Sequence, residues 1–194
     1  LFRSDDLSLV DKLRASAPEG MTEEELVRFD KLAQTVVLTA QGIPSLFAGE
    51  EMLRTKGGVS NSHDSPDRVN RIDWSFKADH KDVFDYYRGL IALRRTHPAF
   101  RLATAAEIER HLRFLDTGDT HVVAYRLVDH AGGDPWREIL VVYNGARAEK
   151  RVRIPPGDWH AVCLDGRIAS EALAVFSGDS VPVPASSALI AYLP

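Results

Sequence analysis

The spacing of apolar residues changes near Phe100, and this change constrains the fold more than any other feature of the chain. Before that point, apolar residues recur at helical spacing over residues 22–40 and 81–97. After it, they alternate with polar residues or form short β-branched runs. The sequence therefore predicts an α/β segment over residues 1–99 and an all-β segment over residues 100–194.

The ends of the two predicted helices carry helix start and stop signals. Thr22 and Glu25 have the spacing of a capping box, in which each side chain binds the backbone NH of the other residue. Gly42 and Pro44 follow the first helix, and Pro98 follows the second. These signals support two helices in the first half of the chain.

A short apolar run over residues 43–47 predicts a buried strand between these helices. One strand cannot form a two-faced sheet, and its backbone edges would lack partners. A helix, strand, long loop and helix is the repeating unit of a (β/α)8 TIM barrel, whose binding residues follow the strands. Residues 1–99 are therefore predicted to be part of such a barrel, with the missing strands upstream of Leu1.

The second half of the chain is predicted to be an antiparallel β-sandwich domain. Six short strand-like runs carry this prediction, over residues 121–127, 138–143, 150–154, 159–164, 181–184 and 188–193. Turn clusters rich in Gly, Pro, Asp and Ser separate them.

Composition and charge argue against several classes of partner. The chain has 24 basic and 28 acidic residues without a basic stripe, so nucleic acid is not expected. No apolar stretch approaches the roughly 18 residues of a membrane span. The chain begins with Leu1 rather than Met, so the true N-terminus is expected to lie elsewhere, and an extracellular or a cytoplasmic location stays open.

The sequence predicts no required cofactor. Cys163 is the single cysteine, which excludes an internal disulfide, and it is predicted to be a small buried hydrophobic residue. No Cys/His pair has zinc-like spacing. Asp129, Asp134 and Glu138 leave calcium as an option, although they lack a spaced ligand loop.

A polar loop follows the predicted strand and carries the candidate binding side chains. It supplies carboxylate, amide and guanidinium groups, which suit a hydroxyl-rich ligand: Asn61, Asp64, Asp67, Asn70 and Arg71. Glu50 and Glu51 are adjacent at the predicted strand end and would point to opposite sides. They are therefore expected to be structural rather than a catalytic pair.

Several segments resemble one enzyme family. QGIPSLFAGEE resembles the eighth-strand segment of α-amylase superfamily glycoside hydrolases, and NSHDSPDRVNRIDW is similar to the form found in bacterial type I pullulanases. DDLSLVDKLRASAP resembles the pullulanase segment after the seventh strand. HPAFRLATAAEIERHLRFLD, DHAGGDPWREILVVYNGAR and PPGDW resemble its C-terminal β domain. The resemblance implies that residues 1–99 are the last barrel units, from the end of strand 7 to helix 8. It also implies a debranching enzyme that hydrolyses α-1,6-glucosidic links in pullulan, amylopectin and branched dextrins with retention.

The resemblance also implies a divided catalytic site. The family uses a carboxylate nucleophile, a carboxylic acid and a third carboxylate that stabilises the oxocarbenium-like sugar. No segment of this chain matches those that carry the first two. The third lies in a His-Asp-Asn motif that aligns with Ser4, Asp5 and Asp6. Asp5 is therefore the candidate transition-state stabiliser and Asp6 a candidate binding residue, with Ser4 in place of the expected His.

The same resemblance assigns sugar-binding residues in the loop. Asp67 and Arg71 correspond to an Asp and an Arg that hold a glucose unit. Asn61, Asp64 and Asn70 are weaker candidates, because Asn and Asp are also common in turns.

Two alternatives remain open at this point. The parent protein could be another debranching enzyme, such as an isoamylase or a glycogen debrancher. The chain could also be a non-catalytic carbohydrate-binding or interface fragment. At residue level, the alternative for Asp67 and Arg71 is an ion pair that secures the loop. The alternative for Asp5 is a surface carboxylate or a helix cap.

Overall fold

The computed structural model describes residues 6–194. The α-helices of this part are α1 (Leu9–Ser16), α2 (Glu23–Thr39), α3 (Asp67–Asn70), α4 (Phe76–Asp79), α5 (Lys81–Thr96) and α6 (Ala105–His111). The strands are β1 (Leu112–Leu115), β2 (Val122–Leu127), β3 (Glu138–Asn144), β4 (Lys150–Leu164), β5 (Arg167–Ile168), β6 (Ala174–Val183) and β7 (Ser187–Leu193). Short 3₁₀ helices span Glu50–Met52, Ser62–Asp64, Pro98–Arg101 and Ala131–Gly133.

The predicted helices are confirmed, and so is the predicted capping box. The hydroxyl of Thr22 accepts from the backbone NH of Glu25 at 3.1 Å. In return, the Glu25 carboxylate accepts from the backbone NH of Thr22 at 3.0 Å. The first helix ends at Thr39, one residue before the predicted end, and the second ends at Thr96.

The predicted strand over residues 43–47 is wrong, because these residues have no regular secondary structure. Ile43 is 99% exposed and therefore contacts no core. A strand needs a neighbour to pair its backbone groups, and within residues 6–194 no strand precedes Leu112. The structure thus contains no barrel strand in its described part, and helices α1–α5 make up the region assigned to the barrel.

The second half forms the predicted antiparallel all-β domain. Its strand order is β1-β2-β3-β7-β4-β5, and β6 pairs with β4. Two predicted runs, at 150–154 and 159–164, are one continuous strand, β4, whose pairing with β6 is irregular between Arg153 and Gly157. The predicted turn at residues 155–158 is therefore a bulge within a strand. The sequence analysis missed β1 and the short β5.

The central strands β3 and β7 are buried on both faces of the sheet. Along β3, Ile139 and Val141 join a cluster with the helices α2 and α5, whereas Leu140 and Val142 join a second apolar cluster. The second cluster lies among the strands themselves and includes Trp159, which is 0% exposed. Burial on both faces explains why β3 and β7 are continuous apolar runs in the sequence. The second cluster forms a core between strands, as in a β-sandwich.

Side chains of the sheet bind the C-terminal end of α2. The hydroxyl of Tyr125 donates to the carbonyl oxygen of Thr39 at 2.8 Å, and the Tyr143 hydroxyl is 2.5 Å from the Thr39 hydroxyl. Cys163 is fully buried, as predicted, with its Sγ atom 3.2 Å from the hydroxyl of Tyr86 on α5. The helices and the sheet therefore share one core. This core fixes the end of α2, from which the polar segment (residues 41–75) begins.

Candidate functional site

The polar segment over residues 41–75 is attached to the N-terminal helix α1 by one carboxylate. Asp11 is 6% exposed. It accepts hydrogen bonds from the hydroxyls of Ser8 and Thr55, at 2.7 and 2.5 Å, and from the backbone NH of Lys56, at 2.8 Å. Burial pushes the pKa of Asp11 upwards, but these hydrogen bonds outweigh burial and lower it. Asp11 is therefore ionised, and its hydrogen bonds attach the polar segment to α1 at Thr55 and Lys56.

Two buried cations sit over one aromatic ring. The Arg54 guanidinium and the Lys56 ammonium group each lie 4.9 Å from the ring centroid of Phe47. Lys56 Nζ also donates to the Ser62 hydroxyl at 2.6 Å, and burial lowers its pKa. Arg54 donates to the carbonyl oxygens of Ala48, at 3.0 Å, and of Asn70. Arg54 therefore connects Ala48 to Asn70, and Lys56 binds Ser62 between them.

Gly49 allows the chain to pass close to Arg54. Its φ of +96° is in the left-handed region, and a Cβ atom there would lie 2.6 Å from Arg54 Cδ. The next turn, Glu50–Met52, begins directly after it. A larger residue at position 49 would move the guanidinium that binds the opposite side of the loop.

Asp67 is the first residue of α3, Arg71 directly follows the helix, and both are exposed. The backbone NH of Arg71 donates to the carbonyl of Asp67 at 2.7 Å. Among the described residues, no ion pair joins their side chains, so the structural alternative for this pair is absent from this conformation. The two side chains are therefore exposed and not paired with each other.

Arg71 lines an open cleft of about 340 Å³ that is rich in positive charge. The lining residues are Arg54, Thr55, Lys56, Gly57, Arg68, Val69, Arg71, Asp73 and Phe76. Asp67 is not among them. The cleft places a cation and polar groups beside α3, and its shape suits part of a polar ligand rather than a whole enclosed one.

The weaker candidates divide into different roles. The Asn70 amide donates to the carbonyls of Ser62, at 2.6 Å, and Ser65, at 3.1 Å, which shapes the loop. Asn61 has a left-handed φ of +49°, and its side-chain oxygen is 3.0 Å from His63 Nδ1. Asp64 is exposed at the end of the 3₁₀ helix. The structure thus leaves Asn61 and Asp64 accessible, whereas the amide NH₂ of Asn70 is committed to the loop.

The candidate stabiliser Asp5 and its neighbour Ser4 lie outside the described residues. Asp6 accepts from the Lys12 ammonium group at 2.5 Å and from the backbone NH of Leu7 at 2.8 Å. The ion pair with Lys12, followed by the bond from Leu7, lowers the pKa of Asp6. Asp6 is therefore ionised, and its carboxylate is bound by Lys12 and by the backbone of Leu7.

Beneath the loop lies a buried polar cluster formed by Asp30, Gln34, Glu50 and Tyr87. The Tyr87 hydroxyl donates to Asp30 Oδ2 at 3.0 Å, and Gln34 Nε2 donates to Glu50 Oε2 at 3.2 Å. Burial raises the pKa of Asp30 to about 7 and also raises the pKa of Glu50. Glu50 is thus a buried group beneath the loop, which agrees with its predicted structural role.

Sequence reasoning missed four of these charged residues: Asp11, Asp30, Arg54 and Lys56. A signal was present for Asp30, which stands four residues after Leu26 on the apolar face of α2. A carboxylate at such a position is costly unless it is paired or neutralised. The other three have no comparable sequence signal, because their burial depends on contacts between distant segments.

The described residues contain no metal centre of recognisable composition. Within residues 6–194, no group of three or more His, Cys, Asp or Glu side chains is arranged to hold a metal ion. In the same part of the chain, no helix is long and apolar enough to span a bilayer.

Comparisons with known proteins confirm the resemblance to pullulanases. A family model described as "Pullulanase, all-beta domain" matches residues 108–167. The chain is 39% identical to a pullulanase of Bacillus subtilis over 151 residues, which is 78% of this chain and 21% of that protein. The chain is therefore similar to the C-terminal part of a much longer protein.

Solved structures give the same result. A pullulanase from Bacillus acidopullulyticus superposes with a TM-score of 0.93 at 44% identity, covering 97% of this chain and 23% of the other. A Paenibacillus barengoltzii pullulanase, in a complex with maltohexaose and α-cyclodextrin, superposes with a TM-score of 0.86 at 43% identity, covering 98% and 29%. The described fold, helices included, is thus that of the corresponding part of these proteins.

Proposed function

We propose that the protein is a pullulanase-type debranching enzyme, which hydrolyses α-1,6-glucosidic links in α-glucans with retention. The observation that carries this proposal is the superposition over 97% of the chain on a pullulanase at 44% identity. The exposed Asp67 and Arg71 and the cleft beside them supply groups suited to a polyhydroxylated ligand.

In this proposal, the chain contributes one wall of the substrate site. Asp67 and Arg71 hold a glucose unit, Asn61, Asp64 and Asp6 add polar contacts, and Asp5 stabilises the transition state. The nucleophile and the general acid come from barrel strands upstream of Leu1. Residues 1–99 belong to the barrel region in this arrangement, and residues 100–194 form the C-terminal β domain.

The exposed residues 43–47 are compatible with the barrel arrangement. Ile43 is 99% exposed and Leu46 is 38% exposed in a segment without regular secondary structure. In this proposal, upstream barrel strands give residues 43–47 the neighbour that strand formation requires.

The test uses a longer protein that carries this chain, assayed on pullulan and on glycogen. Asp67→Ala and Arg71→Ala are expected to lower kcat/KM on pullulan at least about tenfold, the effect of one lost hydrogen bond to a charged group. Arg95→Ala, at an exposed position on α5, serves as the control. Unchanged kinetics for both loop variants would contradict the sugar-binding role.

The alternatives are separated by the same assay. Preference for glycogen over pullulan would indicate another type of debranching enzyme. The 194-residue chain alone is expected to show no pullulan hydrolysis. Turnover by the purified chain would contradict the proposal that the nucleophile and the acid lie upstream.

A further inference from the structure

Two buried oxygen atoms on α2 have no hydrogen-bond partner. They are Oδ1 of Asp30 and Oε1 of Gln34. Asp30 is 0% exposed and Gln34 is 2% exposed, so both side chains are shielded from bulk solvent. The two residues are four apart on one helix, which places their side chains side by side. An ionised carboxylate and an amide oxygen can only accept hydrogen bonds, so neither can satisfy the other.

One proton shared between these two oxygen atoms would give each of them a hydrogen-bond partner. We propose that Asp30 is protonated in the folded protein and donates through Oδ1 to Gln34 Oε1, completing a buried relay that positions residues 47–53. The relay begins at the Tyr87 hydroxyl, which donates to Asp30 Oδ2. It continues from Gln34 Nε2 to Glu50 Oε2, which also accepts from the backbone NH of Phe47 at 3.3 Å.

The surrounding charges favour the proton on Asp30. Glu50 Oε2 already accepts two hydrogen bonds, which suit an ionised carboxylate. Asp30 accepts one, from Tyr87. The nearest cation on its own helix, Lys31, is bound to the carboxylate of Asp82 at 3.0 Å. Asp30 therefore has no committed counter-charge, and the neutral acid is its cheaper buried form.

The relay ends at residues 47–53, which lie at the start of the polar segment and contact its later residues. Residues 47–53 contain the Phe47 ring beneath Arg54 and Lys56 and the turn that begins after Gly49. Arg54 in turn holds the backbone of Asn70. Asp30 is thus a positioning residue that touches no ligand and acts on the loop through Gln34 and Glu50. Its link to sugar binding rests on the proposed function, whereas the relay itself does not.

The relay makes the segment sensitive to pH. The groups that face Asp30 are Tyr87 from α5, Glu50 from the segment and Lys31 from its own helix, with Glu51 next to Glu50. Burial raises the pKa of Asp30 from 3.8 to about 7. The folded state therefore keeps a proton that the unfolded chain releases. The stabilising contribution of this proton is fully present below pH 4 and is lost as the pH rises to about 7.

Hydrogen exchange of the 194-residue chain between pH 5 and pH 8 tests the relay without any glucan. The readout is protection of the amides of residues 47–53, corrected for intrinsic exchange, with the amides of β3 as the internal control. The wild type is expected to lose about tenfold protection in this segment as Asp30 ionises. Asp30→Asn, whose amide can accept from Tyr87 and donate to Gln34, is expected to keep its protection at both pH values.

Two further variants distinguish the relay from a general effect. Gln34→Leu should lower protection of the segment about tenfold at pH 5 while leaving β3 unchanged. Glu50→Gln should retain a pH-dependent loss, because Asp30 still titrates. The proposal is overturned if Asp30→Asn shows the same pH-dependent loss as the wild type, or if only Glu50→Gln abolishes it. Because no substrate is used, failure of the debranching proposal would leave these results unaffected.

Discussion

The two halves of the molecule differ in how completely their buried polar side chains are hydrogen-bonded. In the β domain, the Asn144 side chain is 0% exposed and donates to the carbonyls of Ala148, Val183 and Pro184 at 2.9 to 3.0 Å. Its oxygen accepts from the NH of Ala146. On the helical side, Asp30 and Gln34 each keep an unpartnered oxygen, and so does the nitrogen Nε of Arg54.

The polar groups around Asn144 are fully hydrogen-bonded, whereas the cluster around Asp30 has hydrogen-bonding capacity left over. Asn144 fixes the crossing of three segments with every polar atom used, so it tolerates no change. The helical cluster lies beneath the candidate loop and can change its hydrogen bonding by gaining or losing a proton. In the β domain, Arg126 Nε is the corresponding unpartnered atom among the described residues, and it lies on a half-buried side chain.

Replacing Asn144 should have the largest effect on stability. Asn144→Ala leaves three carbonyls and one NH without their partner, so the free energy of unfolding is expected to fall by about 3–5 kcal/mol. Urea denaturation followed by circular dichroism measures this loss. A decrease below about 1 kcal/mol would mean that water replaces the amide and that the β core is less closed than described.

Tyr87→Phe tests the adaptable cluster. It removes the hydroxyl that donates to Asp30, and the loss should depend on the charge of that carboxyl. The free energy of unfolding is expected to fall by about 2 kcal/mol at pH 8, where Asp30 is ionised, and by about 1 kcal/mol at pH 5. Equal losses at both pH values would remove the contrast between the two halves.

Gly89→Ala probes the boundary between the halves. Alanine usually stabilises a helix interior, but a Cβ atom at position 89 would collide with Cγ2 of Ile168 on the β5 hairpin. The conflict should outweigh the helix gain, with a net loss of about 1–2 kcal/mol in thermal unfolding. The double variant Gly89→Ala with Ile168→Ala should recover part of this loss, and no recovery would argue against the collision with Ile168 as its cause.

Trp74→Ala should have the smallest effect. The side chain is 67% exposed at the end of the polar segment, so the free energy of unfolding should change by less than about 0.5 kcal/mol. The large fully buried Trp159 provides the matched contrast, since its loss to Ala should cost about 3–5 kcal/mol. A large effect at Trp74 would reveal a packing role for the loop.

The sequence predicted the elements whose signals are local. The capping box of α2, the proline after α5 and the strand runs of β2, β3 and β7 all depend on neighbouring residues, and all are confirmed. The strand over residues 43–47 failed because strand formation depends on partners that the local pattern does not contain. The turn at residues 155–158 failed because pairing with β6 carries β4 through two prolines.

The candidate site divides in the same way. The polar loop and the separate, exposed side chains of Asp67 and Arg71 agree with the sequence interpretation, although their sugar-binding role stays a prediction. The supports of the loop did not follow from its own sequence. Asp11 belongs to α1 and binds the backbone of Lys56, whereas Asp30 belongs to α2 and binds Tyr87 of α5, so both contacts are tertiary.

The core that α2 and α5 share with the sheet decides how this domain could be transplanted. Leu38, Leu90 and Phe100 pack in one cluster with Tyr125 and Val141, so a junction placed at residue 100 would divide that cluster. A chimaera that joins relatives before Glu23 would keep both helices with their own sheet. For protein engineering, the exchangeable unit is therefore the β domain together with the two helices, and a junction drawn from secondary structure alone would yield mismatched cores.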